Sequence, residues 1–269
     1  MIRTGFAILL LLLAQGAAAQ TTELISRTEL RVCADPSDLP FSNKQGEGFE
    51  NKVATIIGKD LGLPVAYVWF PQVIGFVRNT LRARQCDLVM GAVSGDDTME
   101  NTNPYYHTAY MIVTRTDAGI IAHSLGDPSL ADKRIGLVAA TPPTDLLLKH
   151  GLMAHVTSYS LAVDTRYDSP PRAMLQDLLD GKIDVALLWG PFAGYFIKRE
   201  QLPLQAAFLD GEEQRLDFHI AMGVRANEPE WRRRINLAIQ HHQAEITALL
   251  QDYGVPLLDE QNRPIPATP

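Results

Sequence analysis

The chain has 269 residues, with 24 Lys+Arg against 31 Asp+Glu and a formal charge of −7. That length can bury a substantial core, as one large domain or as two lobes. An acidic chain without a basic tract argues against nucleic acid as a partner, and the one basic cluster, Trp231 to Arg234, reads as a solvated helix face.

Residues 1–19 carry one positive charge at Arg3, an apolar run from Phe6 to Leu13 and the small-residue ending Ala17-Ala18-Ala19. This is the pattern of a secretory signal peptide, cut after Ala19. The run falls short of the ~20 residues that span a bilayer, and no later stretch is apolar enough, so the mature form is expected to have no membrane span. Removal of residues 1–19 leaves 23 Lys+Arg against 31 Asp+Glu, a formal charge of −8. Export puts Cys33 and Cys86 in an oxidising compartment, where a disulfide and two buried free thiols are both open readings. Two distant cysteines lack the paired spacing of a zinc site, and no metal is expected.

Leu30 to Ala34, LRVCA, reads as a strand entering a loop at Asp35-Pro36. GFENKVATIIGKDLGL sets Phe49, Val53, Ile56, Ile57 and Leu61 at helical spacing and stops at Gly62 and Pro64. VAYVWF is a second strand, IGFVRNTLRARQ a second helix with Ile74, Val77 and Leu81 inward, and CDLVMGAV a third strand. This alternation predicts a parallel sheet covered on both faces, with the ligand crevice beyond the carboxyl ends of its strands. The loops after Ala34, Trp69 and Met90 then share one rim, and Gly91 to Tyr106 faces the cleft. After YMIVTR, residues 110–115, the same grammar restarts: strand, turn and helix in RIGLVAATPPTDLLLKHG, then helix, strand and helix from Pro170 to Arg199. FHIAMGVR, residues 218–225, reads as a strand returning to the first sheet, and a last helix ends at Gly254. The expected division is a lobe of residues 20–114 plus 222–269 and a lobe of 115–221, joined by crossings near 112–117 and 217–223.

The order of LRVCADPSDLPFSN, GFENKVATIIGKDLGL, CDLVMGAVSG, NPYYHTAYMIV and GKIDVALLWGPFAGYF resembles the periplasmic solute-binding proteins of the amino-acid-receptor type. CADPSDLPFSN, TPPTDLLLKHGLM, VDTRYDSP, LWGP, FHIAMGVR and LLQDYGVPL are more narrowly similar to the MxaJ/XoxJ family, periplasmic-binding-protein-like accessories of PQQ-dependent methanol dehydrogenases. The resemblance implies a type II periplasmic-binding-protein fold, two α/β lobes with a cleft between. It implies that LRVCA and CDLVMG are neighbouring strands, which brings Cys33 and Cys86 within reach of a disulfide. As partner it implies a methanol dehydrogenase and, with it, its cytochrome c. No cofactor is implied.

Receptors of the amino-acid type carry an arginine between the third strand and the PYY-like turn, where its fork pairs with the ligand carboxylate. Here that segment holds Ser94, Asp96, Asp97 and Glu100 and no arginine, and the second-lobe aspartate for the ligand amine is replaced at Leu188-Trp189-Gly190-Pro191. The cleft is therefore not that of an amino-acid receptor. The expected cleft and partner-binding set is Asp35, Asp38, Phe41 and Ser42 in one loop, Trp69, then Ser94, Asp96 and Asp97, then Thr141 and Thr144, Arg166, and the aromatic rim Trp189 and Phe192. Thr141 and Thr144 stand at a helix start, where free N–H groups can meet an anion; a plain N-cap at Thr141 is the competing reading. No nucleophile and base can be assigned together, so catalysis is not expected. The remaining readings are an accessory of a dehydrogenase and, as the alternative, a receptor that hands a non-amino-acid small molecule to an ABC transporter.

Overall fold

The computed structural model describes residues 24–266; the expected signal peptide lies outside them. The first lobe begins with β1 (Leu30–Ala34), the two-residue strands β2 (Ser37–Asp38) and β3 (Ser42–Asn43), and α1 (Phe49–Leu61). It continues with β4 (Val65–Trp69), the short α2 (Phe76–Asn79), β5 (Leu88–Val93), β6 (Glu100–Asn101) and β7 (Tyr106–Arg115). The second lobe adds β8 (Ile135–Val138), α3 (Pro143–Lys149), β9 (Val156–Tyr159), α4 (Pro170–Leu179), β10 (Val185–Trp189), α5 (Gly190–Arg199) and β11 (Leu204–Phe208). The chain closes with β12 (Asp217–Val224) and α6 (Pro229–Asp252).

The strand order is β4-β1-β5-β12-β7-β10-β8-β9, with β1 parallel to both its neighbours and β8 parallel to β9 and β10. One strand serves both lobes. Tyr106 to Ala109 of β7 pair antiparallel with β12, whereas Tyr110 to Arg115 pair with β10 and β11. The exchange of partners falls between Ala109 and Tyr110, ahead of the expected crossing at 112–117. β12 pairs with β5, β6 and β7 of the first sheet along its length, so the return crossing lies before Asp217 rather than within 217–223. His107 and His219 face each other there, rings stacked at 3.9 Å, and His107 Nε2 meets Asp217 Oδ2 at 2.8 Å.

Each lobe buries its own apolar layers. α1 and α6 cover one face of the first sheet through Val53, Ile57, Ile235 and Ile246, the inward positions of their 3.6-residue repeats. On that lobe Asp87, fully buried, accepts from Arg31 Nε and Nη2 at 2.7 Å and from Arg225 Nη2 at 2.6 Å. These bonds, opposing its burial, hold the carboxyl below its ordinary range. In the WRRR cluster, Trp231 is buried while Arg232 and Arg233 pair with Glu100 and Glu230. A second seam joins the lobes: α5 lies so close to the end of α6 that a side chain at Gly194 would meet the carbonyl oxygen of Gly254 at 1.8 Å.

The second predicted helix is much shorter than expected. Gly75 adopts φ +92°, and the Thr80 hydroxyl donates to the Phe76 carbonyl at 2.6 Å, closing the helix after one turn. Ile74, expected inward, is therefore 92% exposed, and Phe76 takes its place beside Leu81 in a small cluster around the cysteines. Cys33 and Cys86 form a disulfide, Cα–Cα 5.5 Å, as the resemblance implied. It closes a loop of 53 residues, so replacing both cysteines with alanine should lower the unfolding free energy. The loss should be about 4 kcal/mol in the chain-entropy model, read from urea unfolding; an unchanged midpoint would contradict it.

Candidate functional site

A cavity of about 520 Å³ lies between the lobes. Its first-lobe wall comes from the loop after β1, the first turn of α1, the end of β5 and the crossing strands β7 and β12. The loop is held by its own polar groups: Asp35 Oδ1 accepts from Ser37 N at 2.8 Å, Asp35 Oδ2 from Gln72 N at 2.6 Å, and Ser42 Oγ donates to the Asp35 carbonyl at 2.8 Å. α1 starts directly on this loop, with Glu50 N donating to the Phe41 carbonyl at 2.9 Å. Only glycine fits at position 48, where a Cβ would stand 2.0 Å from the Phe41 carbonyl oxygen.

That entry places Glu50 inside the cavity. Glu50 is 8% exposed and lines the cavity with Asp38; neither carboxyl has a hydrogen bond or ion pair with a described residue. Gly91 makes room for it, since a Cβ there would lie 2.4 Å from Glu50 Oε1. Burial pushes the Glu50 carboxyl up to about 8, with further repulsion from Asp38 and Asp35. Burial and Asp35 push Asp38 up to about 7. Tyr106, 7% exposed, lines the same space, and its hydroxyl has no hydrogen-bond partner among the described residues. Burial and then Glu50 raise that phenol well above its ordinary range. No Lys, Arg or His of the described residues lines the cavity.

The second lobe contributes aromatic rings and one polar bond. Trp189, at the end of β10, lies 5.2 Å from the ring of Tyr110 and 5.8 Å from that of Phe218. Phe192 meets Phe41 of the first lobe edge to face at 5.1 Å. Thr165 donates its hydroxyl to Asp35 across the cleft at 2.8 Å. The two lobes are thus in contact over the cavity, and the cleft is closed.

Of the expected site residues, Asp38, Phe41, Thr141, Trp189 and Phe192 line the cavity, and Asp35 and Ser42 lie buried beneath it. Trp189 and Phe192 are half-buried inside the closed cleft rather than exposed on an outer rim. Trp69 is elsewhere, stacked on Tyr67 at 4.6 Å. Ser94 donates its backbone N–H to the His219 carbonyl. Asp96 and Asp97 do not face the cleft, because β5 ends at Val93 and the chain turns away at Gly95, φ +95°; they line a separate surface depression with Arg82 and Arg84. The acids of the cleft are therefore Asp38 and Glu50. Thr141 and Thr144 give their hydroxyls to the carbonyls of Val138 and Thr141, at 2.6 and 2.7 Å, and α3 begins at Pro143 with Pro142 in the cap position, so Thr141 is not its N-cap. Arg166 is exposed, paired with Asp164 at 2.6 Å and set over the Tyr167 ring.

Glu50, Tyr106, Thr165 and Phe218 were not singled out from the sequence. Glu50 did leave a signal: it stands three and seven residues before Val53 and Ile57, an acid on the face of α1 that turns inward.

The two-lobed fold with its interlobe cavity is that of a binding protein, and the model of the bacterial extracellular solute-binding proteins, family 3, matches residues 30–255. The chain belongs to that family. Within it, the chain belongs with the MxaJ/XoxJ proteins. The crystal structure of the periplasmic binding protein XoxJ from Methylobacterium extorquens AM1 is 39% identical, at TM-score 0.75 over 86% of this chain and 100% of that one. MxaJ from Methlophaga aminisulfidivorans MPT is 29% identical, at TM-score 0.74 over 85% of this chain and 100% of that one. Protein MoxJ of Methylorubrum extorquens is 30% identical over 87% of this chain and 83% of its own length.

The raised carboxyls set a pH dependence. Glu50 keeps its proton in the folded chain up to about pH 8 but loses it near 4.5 when unfolded, so the folded state binds more protons between those values. Stability must then fall as pH rises through that window, with Asp38 adding to the fall between 3.8 and about 7. Glu50→Gln should flatten the fall and raise stability at the alkaline end by an amount on the order of a few kcal/mol. Melting curves across pH check this; a variant no more stable than wild type at pH 8.5, roughly past the titration, would contradict it.

Proposed function

We propose that this chain is a non-catalytic periplasmic accessory protein that binds a PQQ-dependent methanol dehydrogenase and assists its maturation or activation. The observation that carries the reading is a receptor's cleft in which no cationic group of the described residues stands: an amino acid's carboxylate would meet Asp38 and Glu50 in place of an arginine fork. The likeness to MoxJ, MxaJ and XoxJ supports the same reading. The described residues contain no helix able to cross a membrane.

Docking through Trp189 and Phe192 would require the cleft to open. In the closed form, the cleft mouth presents Tyr167, 80% exposed, and Leu161, 58% exposed, on the segment that bears the VDTRYDSP tract. Exposed aromatic groups with an arginine beside them are frequent anchors for a protein partner. The mature protein should capture the dehydrogenase from the periplasm of methanol-grown cells. Tyr167→Ala should weaken that capture about tenfold or more without lowering the melting temperature. Absence of the dehydrogenase from the wild-type capture would overturn the reading; a stable variant that captures normally would remove Tyr167 from the interface.

The cavity between the lobes favours, as a second reading, a receptor for a small molecule other than an amino acid. Under either reading none of the twenty amino acids should bind, since losing a charge-assisted pair costs about 2 kcal/mol or more. Calorimetry giving micromolar affinity for any of them would contradict this.

A further inference from the structure

We propose that the cleft is a binding site for a small organic ammonium ion, held by Asp38 and Glu50 and lined by the rings of Phe41, Tyr106, Trp189 and Phe192. The inference concerns the cavity itself and stands apart from the dehydrogenase reading. Three independent features converge on it. The first is charge. Two carboxyls face the same space, with Asp35 directly behind them, and no basic side chain of the described residues answers them. A pair of acids alone would say little, because exposed acids are solvated by water.

The second is lack of partners. Glu50 is more than nine-tenths buried, and its carboxyl has neither hydrogen bond nor ion pair among the described residues. The hydroxyl of Tyr106, equally buried on the same wall, has none either. Buried polar groups are almost always satisfied; here the Tyr106 hydroxyl is buried without a partner among the described residues, and the unpaired Glu50 carboxyl opens to the same cavity. An ammonium N–H group supplies several donors and the missing charge at once. The third is the set of rings in the rest of the wall, where Phe41, Tyr110, Trp189, Phe192 and Phe218 stand among aliphatic side chains. Ring faces attract cations, most strongly where water is excluded, whereas a carboxylate ligand would gain nothing from them. A cavity of about 520 Å³ takes a small organic ion with its apolar body. A bare metal ion fits less well, since no group of three His, Cys, Asp or Glu able to hold one occurs among the described residues.

Binding must be linked to protons. The groups facing Glu50 are Asp35 and Asp38 from the loop after β1, Tyr67 from β4, Tyr105 just before β7 and Tyr106 at its start, all acidic or neutral. With the cavity empty, Glu50 keeps its proton up to about pH 8. An ammonium ion favours the carboxylate, so the proton leaves to solvent as the cation enters.

The test is calorimetry of the mature protein with three ligands of one shape: cyclohexylammonium, cyclohexanol and cyclohexanecarboxylate. Only the ammonium should bind. Its affinity should rise with pH between about 6 and 8, with protons released from Glu50 and, below about 7, also from Asp38, read from the dependence of the heat on buffer ionisation. Glu50→Gln should lose at least tenfold in affinity, and Asp38→Asn should lose affinity as well. Since Glu50→Gln is expected to be at least as stable as wild type, its loss would not reflect unfolding. Equal or tighter binding of the alcohol or the carboxylate would overturn the proposal. So would millimolar ammonium giving no heat, or both variants binding as wild type does.

Discussion

A carboxyl group taken out of water without a counter-charge must either accept a proton or find a cation. Glu50 and Asp38 impose that condition on the cleft, and much of the local architecture keeps them there. α1 can begin where it does only because Gly48 admits the Phe41 carbonyl, and Gly91, with no side chain, leaves room for the inward Glu50 carboxyl. Asp35 differs from its two neighbours. Its oxygens are filled by Ser37, Gln72 and Thr165, so it adds negative potential behind the pair without itself needing a ligand.

The geometry around these carboxyls follows from one strand. β7 gives its first residues to one sheet and its last to another, so the two lobes meet at the exchange between Ala109 and Tyr110. Tyr106 before the exchange and Tyr110 after it both line the cavity. The lobes are tied differently in different places. α5 lies against the end of α6 through the Gly194 and Gly254 backbones, with Lys198 donating to the Gln251 carbonyl at 2.9 Å. Across the cleft the polar tie is Thr165 to Asp35, beside the Phe41–Phe192 ring contact. A hydroxyl bond and one ring pair are weak enough to break for passage of a ligand.

The fold was legible because it rests on periodicity. The inward stripe of α1, the run of β5 and the return of β12 are all visible as apolar spacing, whereas the disulfide followed only from the family resemblance, which makes β1 and β5 neighbours. The second helix failed because Gly75 and Thr80 act through backbone conformation and a side-chain bond that spacing does not register. The cleft was legible in sign and in part in residues: Asp38, Phe41, Thr141, Trp189 and Phe192 were expected there and line it, whereas Asp96 and Asp97 are carried to another surface by the turn at Gly95. The carboxyls that do face it come from the loop and helix after β1. Thr165 and Phe218 approach from far along the chain, and only the tertiary arrangement brings them to Asp35 and Trp189.

These features describe a solute receptor's scaffold whose cleft has exchanged anion recognition for uncompensated acid and aromatic surface. Carbon-13 NMR of side-chain-labelled glutamate, with Glu50→Gln used to assign the Glu50 carboxyl, measures that exchange most directly. The account predicts that in the ligand-free protein this carboxyl titrates at about 8. Titration near the ordinary value of 4.5 would mean that Glu50 is solvated or paired, and would contradict it.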